Sequence, residues 1–147
     1  MFKTILVPTD GTKLSQTAVK HAIELAKIAG AKLVGLHVHH KFLGSPYGTF
    51  GPAEDVLEEA HKEHSRAQAQ ELLAKVKEKA DAAGVTFEAV AAESNEVWKQ
   101  IITTARKKKC DLICMASHGR HGLSGLVLGS ETVKVLTHSD VPVLVLR

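Results

Sequence analysis

Short apolar runs alternate with stretches of helical period from one end of the chain to the other. Thr4-Ile5-Leu6-Val7 is a β-rich run closed by Pro8 and Gly11, which reads as a strand buried on both faces. From Lys13 to Ala29, the residues Leu14, Ala18, Ala22, Leu25 and Ala29 recur at helical spacing, and Gly30 supplies a stop. Lys32 to His39 is a second strand. Glu54 to Ala83 predicts a long helix, with Val56, Ala60, Ala67, Leu72, Leu73, Val76, Ala80 and Ala83 toward one side, ended by Gly84. Val85 to Ala91 is a third strand. Asn95 to Lys108 is a third helix whose inner face carries Val97, Trp98, Ile101, Ile102 and Ala105. Asp111 to Ala116 is a fourth strand, Ser130 to Thr137 a short last helix, and Val141 to Leu146 a fifth strand.

Strands that read as unbroken apolar runs, each followed by a helix, imply a parallel sheet covered on both faces. Right-handed crossovers then leave an α/β fold of the doubly wound, open-sheet type with five parallel strands. No repeat and no linker divides the chain, so residues 1–147 form one domain. Pro142 cannot donate to a ladder and argues that the last strand lies at an edge or that the proline opens it. An apolar edge is a liability unless covered. A second copy of Val141–Leu146 would cover it, which predicts a homodimer. The connection from His40 to Ala53 holds Gly44, Pro46, Gly48, Gly51 and Pro52 and is long for a compact domain. It reads as a lid or a docking surface.

Composition changes this picture little, but it excludes several functions. A chain of 147 residues buries enough surface to need neither disulfide nor metal for its core. Aromatic residues make up 4%, too few for a stacking platform, and a net charge of +3 gives no argument for a nucleic-acid partner. No apolar run approaches the roughly 18 residues of a membrane span. The N-terminal apolar run is broken by Pro8 and Asp10, unlike a signal peptide. The expectation is a cytoplasmic protein with reduced thiols. Cys110 and Cys114 then serve as small buried hydrophobes.

In open α/β sheets ligands bind beyond the carboxyl ends of the strands, where strand order reverses. Three segments lie at such ends: Pro8-Thr9-Asp10-Gly11, His37-Val38-His39, and Ser117 to Ser130. The last is rich in glycine, which lets main-chain amides approach an anion, and a helix start adds partial positive charge. Ser130 and Thr132 offer hydroxyls there, and Arg120 could assist. An ordinary surface loop with Ser130 capping a helix fits the composition too. The segment lacks the Gly-Lys-Ser/Thr ending of a Walker loop. It also follows the fourth strand, whereas the dinucleotide fingerprint follows the first.

These residues carry a resemblance. The whole chain is similar to the universal stress protein family, whose nucleotide-binding members carry Gly-x-x-Gly, nine residues, then Gly-Ser/Thr. Here the matching positions are Ala116, Gly119, Gly129 and Ser130, with Arg120 to Leu128 as the nine. Pro8-Thr9-Asp10-Gly11 and Val141-Pro142-Val143-Leu144-Val145 resemble further signatures of the family. The resemblance implies a Rossmann-like sheet of order 3-2-1-4-5 and an adenine nucleotide, ATP with Mg²⁺, as ligand. It places Pro8, Thr9 and Asp10 beside the adenosine, with Asp10 as ribose partner and the Val38 main chain on adenine. It places Ala116, Ser117, His118, Gly119, Arg120, His121 and Gly122 in the phosphate loop. Ser130, Glu131 and Thr132 open the helix that closes over the phosphates. Ala116 departs from the motif's first glycine. With positive φ it would be strained by ~1–2 kcal/mol; directly after a strand, negative φ is expected.

The implied function is a nucleotide-dependent regulatory switch in a stress response, read by an unknown protein partner. Two alternatives stand beside it: a slow ATP hydrolase, and a nucleotide-free structural dimer. Catalysis finds little support, because no Gly-x-Ser-x-Gly elbow or paired carboxylates occur and only Arg120 could clamp a phosphate. The nine histidines sit at no familiar ligand spacing, so no metal site is expected. Arg106 to Lys109 reads as a solvated helix end, where cations complement the dipole.

Overall fold

The computed structural model describes residues 1–44, 46–48, 51–119 and 128–147. Nine elements follow one another: β1 Thr4–Pro8, α1 Lys13–Ala29, β2 Lys32–His39, α2 Pro52–Ala82, β3 Phe87–Glu93, α3 Val97–Lys107, β4 Leu112–Ala116, α4 Ser130–His138 and β5 Val143–Leu146. The five strands are parallel and ordered β3-β2-β1-β4-β5, the order the resemblance implies.

Strand alternation divides the core in two. Ile5, Val7, Leu33 and Cys114 point to one face and pack with Val19, Ala22, Ile23 of α1 and Val76, Ala80 of α2. Leu6, Val34, Leu36, Ile113 and Met115 point to the other and pack with Ile101, Ala105 of α3 and Val135 of α4. The chain turns from β1 toward β2 and β3 on one side, then returns to β4 and β5 on the other. Strand order therefore reverses between β1 and β4, and a crevice opens above that point.

Several boundaries differ from the sequence expectation for physical reasons. Val85 is not in a strand. Its amide donates to Ala80 O at 2.9 Å and the Gly84 amide to Asp81 O at 3.0 Å, with Gly84 at φ +74°. This Schellman arrangement ends α2 and turns Val85 into the core beside Ala80. The end of α3 uses the same device, with Cys110 N donating to Ala105 O and Lys109 at φ +53° where glycine is usual. Part of the basic run is thus a helix stop.

The apolar side assigned to α2 holds only in its second half. The buried residues are Ser65, Ala69, Leu73, Val76 and Ala80, while Val56, Ala60 and Ala67 are exposed. A helix of 31 residues spans about 46 Å. The longest strand has eight residues and reaches only about 26 Å. The first turns of α2 consequently run past the sheet and have no core to meet.

At the far edge, Pro142 lies just outside β5. Its carbonyl accepts from the Ile113 amide at 2.9 Å, so the residue joins the sheet through the one group it can offer. Both cysteines are buried, and burial pushes each thiol up to about 11, consistent with packing rather than reactivity. Among the described residues no helix is long and apolar enough to cross a membrane, and no group of three His, Cys, Asp or Glu side chains could hold a metal ion.

Candidate functional site

The crevice is built from the ends of β1, β2 and β4 and the start of α4. Pro8 has a specific part in it. In β1 the even residues face β4: the Asp111 amide donates to Thr4 O, while Thr9, of odd parity, donates to Leu36 of β2. The nitrogen of Pro8 therefore sits on the β4 side, where a proline has no hydrogen to give. Pairing between β1 and β4 extends only over Ile5↔Leu112 and Leu6↔Ile113. The two strands part at the proline.

Beyond it the chain is held by a dense local network. Thr9 is buried, and its hydroxyl lies 3.0 Å from Ser15 Oγ. Asp10 Oδ1 accepts from the Thr12 amide at 3.0 Å and from the Thr12 hydroxyl at 2.7 Å. Thr12 is in turn the N-cap of α1, its side chain accepting from Ser15 N. One carboxylate oxygen of Asp10 is thus used to start α1, and the other, Oδ2, is turned toward Gly119.

The β4 side meets it there. Ala116 is the last residue of β4, with extended backbone; among the described residues Lys109 is the one non-glycine with positive φ, so the alanine in place of glycine carries no strain. Ser117 is fully buried, its amide donating to Leu146 O at 2.7 Å and its hydroxyl 3.1 Å from His118 Nδ1. A Cβ on Gly119 would come 2.7 Å from Asp10 Oδ2. A Cβ on Gly129 would come 2.9 Å from His118 Cβ and 3.0 Å from His118 Cα. Both motif glycines therefore mark close approaches, of different kinds. Gly119 brings bare main chain against the carboxylate of Asp10. Gly129 lets the incoming end of the loop pack on its outgoing end, clasped by Gly129 N donating to Ser117 O at 2.7 Å.

Gly129 is the N-cap of α4 and, having no side chain, cannot cap the helix itself. Its first helical bond runs from Val133 N to Gly129 O. The amides of Ser130, Glu131 and Thr132 have no partner within the helix, and they carry the positive end of its dipole. Ser130 is exposed. The side chains of its two neighbours are engaged elsewhere. Glu131 accepts from the Trp98 amide at 2.8 Å, capping α3, and from Lys134 Nζ at 3.2 Å. Thr132 is buried and donates to Ala116 O at 3.1 Å. Arg120, His121 and Gly122 lie outside the described residues.

On the β2 side, His37 belongs to the strand-end segment His37-Val38-His39, in which the sequence assigns its side chain no role. Its ring is buried, and Nδ1 lies 2.9 Å from Thr9 O. A carbonyl only accepts, so Nδ1 carries the proton. Val38 follows, its side chain packed on the α3–α4 face of the sheet. A polar ring among the buried residues of β2 was the available signal, and its partner, 28 residues away, was not readable from spacing.

The whole chain, residues 1–147, matches the universal stress protein family. A universal stress protein of Methanocaldococcus jannaschii, MJ0531, is 35% identical over 150 residues, covering all of this chain and 83% of that protein. The solved structure of MJ0577, from a study that assigned its biochemical function from structure, superposes with a TM-score of 0.84 at 25% identity over 99% of this chain and 96% of that one. A universal stress protein solved in complex with cAMP superposes with a TM-score of 0.71 at 22% identity, covering 99% and 97%. The parallel sheet of order β3-β2-β1-β4-β5 accords with these structural matches, and the chain belongs to the universal stress protein family.

Proposed function

We propose that the chain binds ATP in the crevice between β1 and β4 and acts as a nucleotide-dependent switch in a stress response. The observation that supports this reading is the start of α4, whose first amides have no partner within the helix and whose Ser130 is exposed, beside the close approach of the side-chain-free Gly119 to Asp10 where strand order reverses. Amide donors at a helix start suit a phosphate, and a bare main chain lets it approach. Asp10 would hold the ribose. The Val38 main chain would meet the adenine, and the amides of Ser130, Glu131 and Thr132 the phosphates. Mg²⁺ suits this arrangement as a companion of the phosphates, since it is usually bound by substrate oxygens and water with few protein ligands. A family member crystallised with cAMP is compatible with an adenine ligand. Binding would favour whichever arrangement of the loop contacts the nucleotide, and a partner protein would read that surface.

Calorimetry with Mg·ATP tests the reading. Saturable heat is expected, weakened about tenfold in Asp10→Asn, the effect of losing a charged hydrogen bond worth about 1.4 kcal/mol. Asn keeps an acceptor for Thr12, so α1 retains its start. Absence of heat at high protein concentration leaves the nucleotide-free dimer instead.

A homodimer through β5 belongs to the same proposal. β5 is the last strand of the sheet, and Leu144 on it is 39% exposed. Val143 packs on the core, so a charge there would disturb the fold. Leu144→Glu is the cleaner variant: it is expected to give monomers by sedimentation at a concentration where the parent chain is dimeric. A parent chain that is monomeric at micromolar concentration ends the idea.

A further inference from the structure

We propose that His37 is a positioning residue that holds the Val38 amide open for the adenine ring, by occupying the carbonyl that this amide would otherwise bond. The inference rests on the adenine reading above for its purpose, and on the β1–β2 ladder for its physics. In that ladder the even residues of β2 face β1. Lys32 N donates to Lys3 O at 2.9 Å, and Thr9 N donates to Leu36 O at 2.8 Å. The register Pro8↔Leu36 makes the next rung Val38 N to Thr9 O.

That rung is not formed. Thr9 O is held instead by the Nδ1–H of the buried His37 ring, at 2.9 Å. The last bond across this side of the ladder is Thr9 N to Leu36 O, and the Val38 amide makes none to Thr9 O. Past Thr9 the chain enters the Asp10–Thr12 turn, and β1 pairs no further along β2 than Pro8↔Leu36. One side chain thus ends a β-ladder one rung early. What it leaves is an amide donor and a carbonyl acceptor on an extended residue. That pair matches the edge of adenine, which offers a ring-nitrogen acceptor beside an amino donor. Guanine offers a carbonyl and a protonated ring nitrogen at the same places, so the pair discriminates against it.

Amide hydrogen exchange of the free protein tests the ladder, and calorimetry tests its purpose. In the parent chain Val38 N–H is expected to exchange at least tenfold faster than Leu36 N–H. In His37→Phe the vacated Thr9 carbonyl should capture the amide, slowing its exchange at least tenfold. Mg·ATP affinity should fall about tenfold and the preference for ATP over GTP should shrink. Inorganic triphosphate, which has no base, should bind as before. His37→Gln, which can still donate to Thr9 O, should restore fast exchange and ATP affinity. A Val38 amide as protected as Leu36 in the parent chain overturns the inference, even if His37→Phe does not fold. Slowed exchange with unchanged ATP affinity overturns the role in adenine binding. If the parent chain binds no ATP while the exchange results hold, the nucleotide reading fails and the ladder stop stands as a structural fact.

Discussion

Gly119→Val is expected to weaken Mg·ATP binding about a hundredfold, close to 2.7 kcal/mol, with a smaller loss of thermal stability than a substitution in the core. Residue 119 is exposed, so the new side chain displaces nothing from the core. Its Cβ would arrive 2.7 Å from Asp10 Oδ2, and the branched methyls would add further bulk beside that carboxylate. The carboxylate has little room to yield, since its other oxygen is held by both the amide and the hydroxyl of Thr12. The variant would therefore crowd the proposed ribose partner and cover main chain that the phosphates need to reach. Calorimetry against the parent chain, with thermal unfolding of both, checks the result. Unchanged affinity would remove the phosphate-loop assignment. Gly119→Ala, with a Cβ alone, should fall between the two.

Gly129→Val is expected to act on the fold itself, costing about 2–4 kcal/mol and lowering the melting temperature by about 5–15 °C. Backbone conformation is not the reason, because φ is −74°. The cause is contact. The new Cβ would meet His118 Cβ at 2.9 Å and His118 Cα at 3.0 Å, and the latter is main chain that cannot rotate away. Relief requires breaking the 2.7 Å bond from Gly129 N to Ser117 O or shifting α4, which is tied to β4 through Thr132 Oγ1 and Ala116 O. Thermal unfolding without nucleotide isolates this effect. A melting temperature within a degree or two of the parent would show that the clasp is looser than the distances indicate. Two glycines that look equivalent in the motif thus have separable roles, one at an open surface and one in packing.

The strands were legible because most are short apolar runs, and most helices because their apolar residues keep a period near 3.6. The long helix shows where this reading stops. Val56 and Ala60 continue the helical period, yet they are exposed, because periodicity records where a helix could bury residues and not how far the sheet extends beneath it. Val85 belonged to an apolar run but was taken by the α2 stop, since a hydrophobic residue after Gly84 serves a Schellman turn as well as it serves a strand. Within the site, Pro8, Asp10, Gly119 and Gly129 could be picked out by residue type, because proline, turn carboxylates and glycine have narrow conformational uses. Glu131 and Thr132 could be placed at the helix start but not oriented. One caps a neighbouring helix and the other closes a buried bond to a strand, and both partners are distant in the chain.

By itself the sequence determined the α/β alternation, the parallel sheet and the ends of the strands where a ligand could sit. These follow from local periodicity and from the handedness of crossovers. The tertiary structure alone decided which donors face the crevice. A hydrogen bond such as His37 to Thr9 depends on register between strands, and register is settled only when the two faces of the sheet find their helices.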